Sequence, residues 1–75
     1  MQFLIKAVTA ARPDAGSGSG GRRWALAATL AEAHLIAAEA SGDPGSALAE
    51  LREAGLPPEG ELAGDWGHVR FAPAC

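Results

Sequence analysis

The fold of this chain turns on one stretch, Arg22 to Gly42, where the spacing of apolar residues changes from that of a strand to that of a helix. Trp24, Leu26 and Ala28 alternate, so they would share one face of a strand. Thr29-Leu30-Ala31-Glu32 then spells a capping box, in which a threonine hydroxyl accepts the amide three residues on and starts a helix. That helix is expected over Leu30–Ala40, closed by Ser41 and by Gly42 as a left-handed residue. By propensity alone, Arg22–Ala40 also suits one continuous helix. Two arguments favour strand then helix. Trp24, Leu26, Leu30, Leu35 and Ile36 make no single stripe at helical spacing, and without a strand here the sheet would have only two members, which is marginal in water.

The remaining elements follow from local chemistry. Gln2–Thr9 carries Phe3, Ile5 and Ala7 on one alternating set and Leu4 and Val8 on the other, as a central strand with neighbours on both sides would. Residues 12–21, rich in glycine and serine after Arg12-Pro13-Asp14, read as a flexible loop. Asp43-Pro44 supplies an N-cap and a first-turn proline for a second helix running to Ala54. Gly55 closes that helix and places Leu56 near Leu51, while Leu48 and Leu51 form its apolar side. Leu56-Pro57-Pro58-Glu59-Gly60 is a stiff connection, and Trp66–Ala72 alternates as a last strand, with Gly67, Val69 and Phe71 on one face and Trp66, His68 and Arg70 on the other. The expectation is a single α+β domain over 1–75, in the order β-β-α-α-β. A small antiparallel or mixed three-stranded sheet would carry both helices on one face and leave the other face partly apolar.

A chain of 75 residues buries a smaller share of its surface than a larger one, so dimerisation would help it. Leu30, Leu35 and Ile36 point in three directions at 100° per residue, with Glu32 and Glu39 forming a ridge between Leu35 and Ile36. Burial of different sides by the sheet and the second helix accounts for this. So would a dimer interface using Leu35 or Ile36, to which Cys75 could add an intermolecular disulfide. One cysteine excludes an internal disulfide framework, and the start lacks the basic region and long apolar run of a signal peptide. Glu32, His34 and Glu39 interrupt the longest apolar run, so no membrane span is expected and the reading is soluble and cytoplasmic.

No reaction is spelled anywhere. Gly16-Ser17-Gly18-Ser19-Gly20-Gly21 matches a dinucleotide-binding spacing, but 75 residues cannot supply the doubly wound sheet which that use requires. Arg22-Arg23 stands where a P-loop needs Lys and Ser or Thr. His34, His68 and Cys75 include no close metal-ligand pair, and Ser17 and Ser19 lie in the loop, so neither a cofactor, a metal nor catalysis is expected.

Charge is the one feature with functional direction. Residues 1–23 carry Lys6, Arg12, Arg22 and Arg23 against Asp14, whereas residues 24–65 carry eight acids against Arg52 alone. Such a surface repels nucleic acid and is attracted to basic grooves, including grooves that hold DNA or RNA. The candidate contacts are Glu32, Glu39, Glu50, Glu53, Glu59 and Glu61. Direct nucleic-acid binding is not expected, since only Arg12, Arg22 and Arg23 cluster.

The opening strand Gln2-Phe3-Leu4-Ile5-Lys6-Ala7-Val8, the Trp24-to-Glu32 handover and the Trp66-to-Phe71 strand, in a very short acidic chain, together resemble the small phage anti-CRISPR inhibitors of type I systems. The resemblance implies a non-enzymatic protein in the host bacterial cytoplasm. It would bind the crRNA-guided surveillance complex (Cascade) on the basic surface that takes target DNA. Two other readings stand beside it: a structural or adaptor homodimer, and a ribosomal precursor peptide modified near Ala74-Cys75.

Overall fold

The computed structural model describes residues 1–9 and 21–74 and has the element order β1 (Phe3–Thr9), β2 (Gly21–Ala27), α1 (Leu30–Ala40), α2 (Pro44–Glu53), β3 (Gly60–Gly64), β4 (Gly67–Pro73). The strands form one antiparallel sheet in the order β2-β1-β4-β3. The α+β class and the strand-to-helix handover are as expected from the sequence. The sheet has four strands rather than three. Of the loop expected over 12–21, residues 12–20 lie outside the described residues and Gly21 begins β2.

β1 is central, as its two apolar faces required: Ile5 pairs with Ala25 on one side and Phe71 on the other. Phe3, Ile5, Ala7, Ala27, Leu62, Val69 and Phe71 point to the helices and are buried. α2 meets them with Ala47 and Leu51, and α1 chiefly with small residues. The buried face of α1 is Ala33, His34, Ala37 and Ala38, so its backbone approaches the sheet closely, while Leu35 points outward and is 46% exposed. That resolves the three directions of Leu30, Leu35 and Ile36: Leu30 and Ile36 pack at the margins of the core, and Leu35 lies outside it.

The caps match their local chemistry. Thr29 is extended (φ −132°, ψ 159°), and its hydroxyl accepts the Glu32 amide at 3.1 Å. Thr29→Ala is expected to lower stability by about 1 kcal/mol, seen as a Tm decrease of roughly 4–8 °C for a domain of this size. A Tm unchanged within error would show that the cap contributes nothing. Asp43 caps α2 through Ser46. Gly55, at φ +87°, turns the chain left-handed, a conformation that glycine adopts without steric penalty. The amides of Gly55 and Leu56 then donate to Arg52 and Leu51 carbonyls at 3.0 and 2.9 Å, a full Schellman motif. Leu56 itself sits at φ +51°, the one non-glycine with positive φ among the described residues.

The missed strand is β3. Its residues, Gly-Glu-Leu-Ala-Gly, are poor strand formers. What makes it a strand is pairing with β4, through which Leu62 meets Val69 and Gly60 meets Phe71. Gly64 pairs with Gly67, closing a hairpin over Asp65-Trp66. Trp66 therefore belongs to the turn, not to the face with His68 and Arg70. Its indole packs against the core across Gly64, where an added Cβ would come within 2.7 Å of Nε1.

Candidate protein-binding surfaces

Two outward surfaces result, one on each side of the sheet. On the helical side, Glu32, Glu39, Glu50 and Glu53 are exposed. Arg52 is the one basic residue on α1 and α2, and among the described residues no salt bridge engages any of these four carboxylates. Their positions are informative. Glu32 occupies the first turn of α1, where the helix dipole favours a carboxylate, but Glu39 lies in the last turn of α1 and Glu50 and Glu53 near the end of α2. There the exposed carbonyl ends repel negative charge. Three of the four acids thus stand where helix stability alone would place a base.

Glu59 and Glu61 do not join this surface. Glu61 alternates with buried Leu62, so it projects from the opposite face of the sheet, where it stands opposite Arg70 in the register. Both carboxylates line a shallow groove of about 460 Å³ with Leu4, Lys6, Arg70 and Ala72. The six candidate glutamates therefore split into four and two: the pleat of β3 turns Glu61 to the open face, and Glu59, just before that strand, borders the same groove.

The open sheet face is ordered in rows across the strands. Its middle row is Trp24, Lys6, Arg70, Glu61. Lys6 and Arg70 are directly opposite like charges, an unfavourable pairing that the outer neighbours offset. The Lys6 ammonium lies 4.6 Å from the centroid of the Trp24 indole, a cation–π contact, and Arg70 has Glu61 on its far side. The Glu61 carboxylate also comes within 3.5 Å of His68 Nδ1, an ion-pair distance without a hydrogen bond. The alternation of β1 contained this row in the polar Lys6, but its neighbours on the sheet follow only from the register.

Of the residues expected at a dimer interface, Leu35 is exposed, Ile36 is half-buried and Cys75 lies outside the described residues. Leu35 and Ile36 stand 100° apart on α1 and do not share one surface. His34 is 3% exposed: Nε2 donates to the Pro57 carbonyl at 2.9 Å and the ring meets Phe71 edge-on. It is a structural pin between α1 and the connection into β3. Among the described residues no three His, Cys, Asp or Glu side chains come together as a metal site, and no helix is long and apolar enough to cross a membrane. Comparison with protein-family models, curated proteins and solved structures finds no match to this chain.

Proposed function

We propose that this chain is a non-enzymatic binding protein whose acidic helical layer occupies a basic, nucleic-acid-binding site on another protein, in the manner of an inhibitor. The supporting observation is the placement of Glu39, Glu50 and Glu53 at helix ends that disfavour them, with no basic partner among the described residues. Each such placement costs about 0.3–1 kcal/mol at low ionic strength. Sequences that give up local stability at one surface tend to do so where that surface works. A run of carboxylates held on two capped helices presents negative charge to a basic groove without ordering cost. The narrower form of the proposal, resting on the resemblance of the strands and the handover, is an anti-CRISPR inhibitor acting on a type I surveillance complex (Cascade).

The expected result is a separation of stability from binding. Glu39→Gln, Glu50→Gln and Glu53→Gln together should raise Tm, because each removes an unfavourable charge–dipole interaction. Against a panel of purified type I surveillance complexes, the unaltered chain should compete with target DNA. The triple variant should bind at least about tenfold more weakly, and binding of the unaltered chain should weaken steeply as salt rises from about 50 to 300 mM. No binding to any complex of the panel removes the narrower proposal. Binding that survives both the substitutions and the salt removes the acidic surface as its cause.

A further inference from the structure

The sheet has two edge strands, β2 and β3, and β2 is the longer of them. β2 pairs with β1 on one side, and among the described residues no strand pairs with its other side. Free strand edges template pairing, and sheets ordinarily protect them with proline, charged side chains, bulges, short length or covering segments; of these β2 has its two arginines, Arg22 and Arg23, on opposite faces. β2 is seven residues long, contains no proline and pairs in unbroken register with β1. It also carries Trp24 and Leu26, which are 63% and 56% exposed. Beside it, between β2 and α1, runs a groove of about 320 Å³ lined by Ile5, Ala7, Ala25, Ile36 and Ala40, with Arg23 and Glu39 as its charged residues.

We infer that this edge receives a second copy of the chain: β2 adds antiparallel to the β2 of its twin, making one eight-stranded sheet about a twofold axis. The charge distribution selects this occupant. The strand side of the groove is basic through Arg23, and the helix side is acidic through Glu39. A patch with both signs side by side is its own complement under a twofold axis. Arg23 shares the helix-facing side of β2 with Ala25 and Ala27, so the twin's Arg23 comes to the side on which Glu39 borders the groove.

Register supports the same arrangement. A twofold centred on Trp24 sets Arg22 opposite the twin's Leu26 and Arg23 opposite its Ala25, so no arginine faces an arginine and the two indoles meet. Face-to-face packing of two open sheet faces does worse. With the twofold along the strands Lys6 meets Arg70 of the twin, and with it across them Lys6 meets Lys6. Edge pairing keeps both helical layers on one side of the joined sheet, which brings Glu32, Glu50 and Glu53 of both copies to that side while Glu39 is engaged at the joint. Ile36 lies at this joint and Leu35 does not.

The test is the mass in solution of the whole chain, by sedimentation and light scattering from about 1 to 500 µM, with reductant present so that Cys75 cannot link copies. A concentration-dependent rise from 7.6 kDa toward twice that mass is expected. Amides of residues 21–27 should gain exchange protection over the same concentration range. Trp24→Glu, which sets an opposite charge beside Lys6 within the monomer but like charges against each other across the twofold, should weaken association at least about tenfold while leaving the monomer's circular dichroism unchanged. Arg23→Glu and Glu39→Arg should each weaken it, and the two together should restore it in part. A single 7.6 kDa species throughout overturns the inference. So does a dimer whose β2 amides exchange as in the monomer, or one indifferent to the charge exchange.

Discussion

Phe71→Ala should abolish cooperative folding at 37 °C. Phe71 is 1% exposed and stands at the centre of the molecule, paired across the sheet with Ile5 and Gly60. Its ring lies 3.2 Å from where a Gly60 Cβ would be and makes an edge contact with His34, centroids 5.1 Å apart at 77°. Truncating a buried phenylalanine costs about 3–5 kcal/mol, since transfer energy is lost and the cavity collapses only in part. A domain of this size has a total stability of roughly 4–11 kcal/mol. Beside it, the largest fully buried side chains among the described residues are Ile5 and Val69, and the buried face of α1 is mostly alanine, so little can move in to fill the space. Thermal unfolding followed by far-UV circular dichroism should show a Tm at least about 15 °C lower, or no transition. A decrease under about 5 °C would mean that the core is organised elsewhere.

The second large effect belongs to His34. Its Nε2 carries a proton, because the Pro57 carbonyl can only accept, and this 2.9 Å bond holds the α2–β3 connection against α1. His34→Ala removes the donor, leaves the carbonyl without that partner and opens a cavity beside Phe71, for an expected loss of about 2–4 kcal/mol. His34→Leu fills the volume without restoring the donor, whereas His34→Gln keeps a donor, so glutamine should recover more stability than leucine if the bond dominates. A cycle combining His34→Leu with Phe71→Leu should show a coupling of about 0.5–1.5 kcal/mol from the edge contact. Equal denaturation midpoints for the leucine and glutamine variants would assign the role of His34 to packing alone.

His34 also marks a limit of sequence reading. A histidine among alanines gives no sign of which carbonyl it meets, because Pro57 is 23 residues away. The acidic constellation is a similar case. Eight acids between residues 24 and 65 were plain as composition, yet only the pairing of Gly60–Gly64 with β4 separates Glu61 from the helical four, with Glu59 beside it at the same groove. Leu35 and Ile36 are neighbours in sequence, but α1 turns one out to solvent and the other toward the margin of the core.

The sequence by itself determined the elements whose signals are local. Thr29 and Asp43 start the helices, Gly42 and Gly55 end them, and the alternation of β1 and β2 fixes which side chains share a face, because caps and pleats act over a few residues. Only the tertiary structure decided that Gly-Glu-Leu-Ala-Gly is a strand, that Trp66 folds under it, and that β2 is left as an edge with its tryptophan outward. Strand order and edge exposure arise from pairing between segments far apart in the chain, and a stretch of weak strand formers takes its conformation from the partner it meets.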